Sequence, residues 1–431
     1  MSYQPIIEGC LSKQAGDGLL ERTVFDDLVM RAGAAVEGLA AKKADGSLPL
    51  LALPERRDDL EAIAPVAKRF AASFDDVIVL GTGGSSMGGQ AILALADTPP
   101  FAAIAGPRLH FMDNVDPHTL DVLTKSIDLK RAGLVVISKS GGTAETLAQF
   151  LMLGTAFEHA LGEGCLKERT VAIVQPGPSA LQQLAERYGL QVVDHDPGVG
   201  GRFSALSVTG ALPALIRGLS VDELRAGAAH VLEATLAAGS ASAPAIGAAV
   251  SIGLSRLGYG TTVLLPYIDR LASFGLWYRQ LWSESLGKRG KGTTPIRAMG
   301  TVDQHSQLQL YLDGPRDKMF TVVMLNVRGA GGRIDAEVAG AAGLDYLAGR
   351  RMGDLMDAEQ RATADTLIGN NLPTRTFLLE VLDERTLGEL MMHFMLETII
   401  AADLLGVDPF DQPAVEDGKH LAREYLSQMK D

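Results

Sequence analysis

The chain has 431 residues, of which 47% are hydrophobic and 21% charged. That balance excludes a wholly disordered chain and, at about 100–200 residues per domain, predicts two or three domains. Lys and Arg number 39 against 52 Asp and Glu, a formal net charge of −13, which repels nucleic acid phosphates and anionic membrane surfaces. Two cysteines, Cys10 and Cys165, make neither a disulfide framework nor a zinc cluster and read as reduced thiols.

In chain order, residues 1–70 read mostly as helices, from helix-spaced apolar residues at 25–29 and 36–39 and the later run DDLEAIAPVAKRFAA. No basic segment leads into an apolar one near the start, so the expectation is a soluble cytoplasmic protein. Short apolar runs then alternate with helical patterns at 77–80, 109–112, 134–138, 171–174 and 191–193, the signature of βαβ units around a parallel sheet. The Ala-, Gly- and Ser-rich segment 218–245 reads as a helical connection. Within the uncharged stretch 234–255, the apolar part after Pro244 is too short to span a bilayer. A second strand–helix series follows at 261–267, 320–327 and 376–382, and 387–405 predicts a long helix. The Gly-rich tract at 329–332 reads as a loop. The predicted fold class is therefore α/β, with two parallel-sheet subdomains and additional helices. Its divisions are a helical segment 1–70, a first subdomain 71–217, the connection 218–245 and a second subdomain 246–431.

Two strand–helix turns carry the chemical signal. GTGGSSMGG places Gly81, Gly83, Gly84, Ser85 and Ser86 after the first strand. Unpaired N–H groups at a helix start favour an anion, and glycines allow close approach. The match to a dinucleotide fingerprint is imperfect, because Ser86 stands where the third glycine belongs. SKSGGTAET repeats the arrangement with four hydroxyls, on Ser138, Ser140, Thr143 and Thr146, around Gly141 and Gly142. Hydroxyls and backbone amides together can hold a phosphate dianion without an arginine cluster. One N-cap accounts for one hydroxyl, not four.

SKSGGTAET resembles the phosphate loop of the sugar isomerase (SIS) fold. With GTGGSSMGG, VGGRFSALSVTGALP (199–213), QLWSESLGK (280–288), GTVDQHS (300–306) and QPAVEDGKHLA (412–422), six segments in order resemble the glucose-6-phosphate isomerase, or phosphoglucose isomerase, family. The resemblance implies two SIS-type subdomains and reversible interconversion of glucose 6-phosphate and fructose 6-phosphate, with no cofactor and no metal. It assigns the proton shuttle to Glu284, enediolate stabilisation to Arg202, and ring opening to His305 and Lys419. Gly84, Ser85, Ser138, Lys139, Ser140, Thr143, Thr146, Gln280 and Gln412 would contact the sugar phosphate. In the family the histidine comes from the partner subunit, so a homodimer is implied, with His305 acting across its interface. Leu286, Val302 and Asp303 depart from the family pattern without removing a proposed catalytic group. The alternatives are an isomerase that also accepts mannose 6-phosphate, a non-catalytic phosphosugar-binding SIS protein and a dinucleotide-dependent enzyme. No nucleic acid or membrane partner is expected.

Overall fold

The computed structural model describes residues 1–14, 16–98, 101–102 and 106–429. The first apolar runs form a five-stranded parallel sheet in the order Arg108–Met112, Asp76–Leu80, Ala132–Ile137, Thr170–Val174 and Gln191–Asp194. The central strands are buried on both faces. Val77, Val79, Val135 and Ile137 join the main core, while the alternate residues Ile78, Leu80, Leu134 and Val136 pack outward against Phe150, Leu153 and Phe157. This period of two, with apolar residues on both faces, is why these strands read as continuous hydrophobic runs.

The second sheet has the order Tyr3–Ile6, Thr374–Leu379, Lys318–Leu325, Thr261–Pro266 and Thr294–Arg297. Only Tyr3–Ile6 runs antiparallel to its neighbour. Two of these strands depart from the sequence reading. Tyr3–Ile6 lies in the segment expected to be helical, and Thr294–Arg297 carries Pro295 and has an exposed residue at each end. Both are edge strands of four residues, too short to show a periodicity, and proline is tolerated at such an edge. The segment 218–245 is helical as expected, over Val221–Ala238, and Ala243–Arg256 continues it. Among the described residues no single helix is long and apolar enough to cross a membrane.

A buried polar network ties the chain ends to the second sheet. Arg375 on its strand and Glu397 on the helix Glu384–Leu405 form a fully buried ion pair, Nη1–Oε2 3.0 Å and Nη2–Oε1 2.9 Å. His393, one turn before Glu397, lies 3.1 Å from it through Nε2 and 2.7 Å from the Tyr3 hydroxyl through Nδ1. A neutral imidazole with its proton on Nε2 satisfies both contacts, since the tyrosine hydroxyl then donates. Gly247 leaves room for this pair: a Cβ there would lie 2.4 Å from Glu397 Oε2.

Burial lowers the His393 pKa below its ordinary 6.5, although Glu397 favours the charged form. For Glu397, burial alone would raise the carboxyl, but Arg375 and His393 hold it below its ordinary 4.5. The unfolded chain binds the histidine proton near 6.5 and the folded chain only at lower pH. Stability is therefore complete above about 6.5 and is lost as pH falls through and below that value, with Glu397 adding a further loss below about 4.5. Thermal unfolding should show Tm falling between pH 7 and pH 5, with a shallower fall in His393→Gln. An identical slope in the variant would place the acid sensitivity elsewhere.

Candidate active site

The strand order of the first sheet reverses between Asp76–Leu80 and Ala132–Ile137, because the second strand in sequence adds on one side of the first and all later ones on the other. A crevice opens at the carboxyl ends of strands at such a point. Both glycine-rich turns, 81–86 and 138–143, leave those two strands there. Gly81 sits against the Ile137 carbonyl, and Gly84 against the backbone of Gly201 and Arg202: a Cβ on Gly84 would lie 2.2 Å from the Gly201 carbonyl carbon. The absence of a side chain at Gly84 is what lets the first turn meet the segment that carries Arg202.

Arg202, in the short 3-10 helix Gly201–Leu206, is only 3% exposed. All five of its N–H donors are occupied. Nε donates to Ser285 Oγ at 2.9 Å; Nη1 donates to Glu284 Oε2 at 3.2 Å and Gln412 Oε1 at 2.9 Å; Nη2 donates to the carbonyl of Asp411 at 3.0 Å and to that of Pro409. Burial pulls the guanidinium pKa down from its ordinary value, and Glu284 works in the opposite direction. The Trp277 indole donates to the Arg202 carbonyl at 3.1 Å.

Glu284 lies in the last turn of the helix Ala272–Leu286. That helix buries Phe274, Trp277, Tyr278, Leu281 and Trp282, and leaves the Glu284 side chain 34% exposed. One oxygen faces Arg202, and the other accepts from Gln280 Nε2 at 3.1 Å, one turn earlier on the same face. The carboxylate is thus fixed from two sides while staying open to solvent.

In the second turn the Ser138 and Thr143 hydroxyls lie 2.8 Å apart, and Ser140 Oγ accepts weakly from the Gly142 amide at 3.3 Å. Gly141 adopts φ +66 and presses on Ser179, where a Cβ would lie 2.1 Å from Oγ. Thr143 starts the helix Ala144–Leu161 without a side-chain cap bond, so its hydroxyl is not occupied as an ordinary N-cap. Two residues of the predicted set differ. Thr146 is wholly buried, on the helix face that also buries Gln149, Phe150 and Leu153, and its hydroxyl has no hydrogen-bond partner among the described residues. The Lys139 ammonium leaves the turn and donates to the carbonyls of Pro197 and Val199 at 2.8 and 2.9 Å.

The chain therefore brings Gly84, Arg202, Gln280, Glu284 and Gln412 together, while the turns with Ser85 and with Ser138, Ser140 and Thr143 leave the carboxyl ends of neighbouring strands. His305 and Lys419 stay outside this cluster. His305 is exposed and makes no side-chain hydrogen bond to it. Lys419 is 57% exposed on the helix Glu416–Gln428 and pairs with Glu416 at 2.7 Å. The sequence reading also missed supporting residues. Lys288, within QLWSESLGK, donates to the carbonyl of Asp408 and pairs with Asp411 at 2.9 Å, fastening the loop whose carbonyls hold Arg202. Its position inside a quoted motif was the available signal.

The Phosphoglucose isomerase family model matches residues 67–317 and 334–431. The chain belongs to the phosphoglucose isomerase family. It is an enzyme, an intramolecular aldose–ketose isomerase, as the six motifs implied. It is similar to the glucose-6-phosphate isomerase of Rubrobacter xylanophilus, 40% identical over 376 residues that cover 86% of this chain and 87% of the relative. That of Carboxydothermus hydrogenoformans is 33% identical over 402 residues, 89% of this chain and 86% of the relative. Among solved structures, a hypothetical protein from Thermus thermophilus superposes with a TM-score of 0.84 at 33% identity, covering 94% of this chain and 98% of that one. A glucose-6-phosphate isomerase from Chlamydia trachomatis shares the fold, with a TM-score of 0.72 at 24% identity over 86% of this chain and 73% of its own.

Two of the three departures from the family pattern have structural partners. Leu286 is buried in the main core. Asp303 accepts from the Met299 amide at 2.6 Å and the Ser306 hydroxyl at 2.7 Å. Partial burial would raise its carboxyl, but hydrogen bonding by Ser306 and Gln307 holds it below the ordinary range. Gln304 accepts from the Tyr267 hydroxyl at 2.7 Å, so both residues before His305 are fixed. Val302 is 64% exposed and has no such partner role.

The packing at Gly84 gives a test. Gly84→Ala must push the first turn and the Arg202 segment apart, because the clash is with backbone. A displacement of about 1 Å is expected to lower kcat roughly 10²-fold. Gly142→Ala meets nothing nearer than Ser140 Oγ at 4.0 Å and should keep the wild-type Tm. Steady-state kinetics with melting curves for both variants measure this; wild-type turnover in Gly84→Ala would contradict the close approach.

Proposed function

We propose that the crevice interconverts glucose 6-phosphate and fructose 6-phosphate through an enediolate. The observation that carries this reading is the joint hold on Glu284 and Arg202, 3.2 Å apart beside two anion-suited turns. Glu284 is open enough to meet a substrate and is oriented by Gln280, which suits a base that moves a proton between C1 and C2. The permanent charge of Arg202, set in a largely desolvated position, suits an oxyanion that develops on the same carbons. Because its donors are all occupied, Arg202 acts either by charge at short range or by exchanging Gln412 or Glu284 for the substrate oxygen. The hydroxyls of Ser138, Ser140 and Thr143, with the turn amides, would hold the phosphate, and Gly84 and Ser85 would face the sugar.

His305 and Lys419 are the groups suited to ring opening. His can transfer a proton near neutral pH, and Lys can donate to the ring oxygen. Neither meets Glu284 within one chain, which supports a homodimer in which His305 comes from the partner. A closed two-fold pair would place each histidine by the other chain's site.

Glu284→Gln keeps the shape and removes the proton acceptor; kcat is expected to fall by about 10²–10⁴ with KM nearly unchanged. Turnover within a factor of about two of wild type would remove Glu284 from the role, since general-base loss costs far more.

The shared site has its own assay. His305→Ala and Glu284→Gln chains, each nearly inactive, should recover roughly a quarter of wild-type activity when co-expressed, because about half the dimers are mixed and each carries one intact site. Verified mixed dimers as inactive as the parents would put both residues in the same chain's site.

A further inference from the structure

The segment 196–201 delivers Arg202 to the crevice and ends in two glycines, Gly200 and Gly201. It is held at several points. Asp196 Oδ2 pairs with Arg56 at 2.9 Å, its Oδ1 accepts from the Gly198 amide at 2.9 Å, and Gly198 lies against Pro49. The Val199 amide donates to the Asp196 carbonyl at 3.1 Å, and its side chain is fully buried. Beyond Val199 two glycines, the most permissive residues of the chain, separate the last fixed side chain from the arginine. The hold on Val199 therefore sets where the segment that carries Arg202 enters the crevice, while the arginine's own five bonds fix its guanidinium.

Lys139 adds to that hold and ties it to the turn 138–143. Its backbone belongs to the phosphate turn: it follows Ser138, and its carbonyl accepts from the Gln175 amide at 3.0 Å. Its side chain leaves the turn, and two of its three ammonium donors are occupied by the carbonyls of Pro197 and Val199, at 2.8 and 2.9 Å. We infer that Lys139 is a positioning residue: its side chain is a strut that fixes the distance between the phosphate turn and Arg202, and is not itself a phosphate ligand. The half-buried setting fits this role, since a desolvated ammonium with two carbonyl acceptors makes stronger bonds than a surface lysine. The consequence for the reaction rests on the proposed function. The turn binds one end of the substrate and Arg202 acts at the other, so a loosened strut leaves binding intact and misplaces the charge at C1 and C2.

Lys139→Met keeps the length and apolar stem and removes the donors, while Lys139→Arg restores donors. Two readouts separate the strut from the function it serves. The first is hydrogen exchange in the 196–203 peptide of the full-length protein. Loss of two charge-assisted bonds should speed exchange roughly ten-fold or more in Lys139→Met, with Lys139→Arg nearer wild type. Unchanged exchange overturns the strut, whatever the site does. The second readout is kinetic: kcat of Lys139→Met should fall about 10- to 100-fold, with the inhibition constant of inorganic phosphate unchanged and partial recovery in Lys139→Arg. Weaker phosphate inhibition in Lys139→Met makes Lys139 a phosphate ligand and overturns the proposal. If exchange quickens while phosphate fails to inhibit even the wild type, the strut stands and the reading of the turn fails instead.

Discussion

The hold on one buried guanidinium organises the crevice. Arg202 takes acceptors from two distant places in the sequence: Glu284 and Ser285 at the end of one helix, and the segment 409–412 through the carbonyls of Pro409 and Asp411 and the side chain of Gln412. Each partner lies more than 80 residues away. A group that desolvates this completely is tolerated only when its donors are satisfied. The same requirement that keeps Arg202 buried thus draws the helix Ala272–Leu286, the arginine segment and the carboxyl-terminal segment to one point. Lys288 reinforces the junction through Asp411, whose carboxyl it holds below the ordinary range.

Around that point the fold supplies two rigid references. The parallel sheet fixes both glycine-rich turns, since their strands are hydrogen-bonded neighbours in register from Asp76 paired with Ala132 to Leu80 paired with Val136. The helix Ala272–Leu286 fixes the carboxylate, because its buried stripe of Phe274, Trp277, Tyr278 and Leu281 determines which way Glu284 must face. The aromatic contacts of Phe274 and Tyr278 with Phe394 lock that stripe to the helix Glu384–Leu405. The buried Arg375–Glu397 pair lies under the same packing. The polar network far from the crevice and the carboxylate within it therefore depend on the same two helices.

Much of this was legible in the residues. Strands of a parallel sheet advertise themselves as apolar runs, and each run read as a strand overlaps one. The edge strands Tyr3–Ile6 and Thr294–Arg297 were not legible, because four half-exposed residues carry no period and owe their conformation to the neighbour they pair with. The residues proposed for the site stood out as motifs, since turns need glycine and hydroxyls at fixed spacing. What the letters could not give is direction. Lys139 and Thr146 stand beside true turn residues in SKSGGTAET, yet one side chain leaves for another loop and the other turns into the core. Sequence spacing alone does not distinguish a side chain on the open face of a helix start from one beneath it. Lys288 shows the converse: it was quoted within a motif, but the Asp408 carbonyl it holds lies 120 residues along the chain, where spacing says nothing.

The charge arrangement also explains how an acidic chain, with a net charge of −13, can host an anion. Within the crevice the Arg202 charge is already faced by Glu284, and the Lys139 ammonium is engaged by carbonyls. In the proposed reading, attraction at the turn 138–143 therefore falls to hydroxyl and amide dipoles. Such dipoles act only over a few ångströms and only when fixed, which is why the turn is backed by strand pairing, by Gly141 against Ser179 and by the hydrogen bond between Ser138 and Thr143. A free cluster of cations would hold a phosphate more loosely placed. A dipolar cradle gives up long-range attraction for position. In the proposed reaction the charge develops at the other end of the substrate, and position relative to Glu284 and Arg202 is then the quantity that matters.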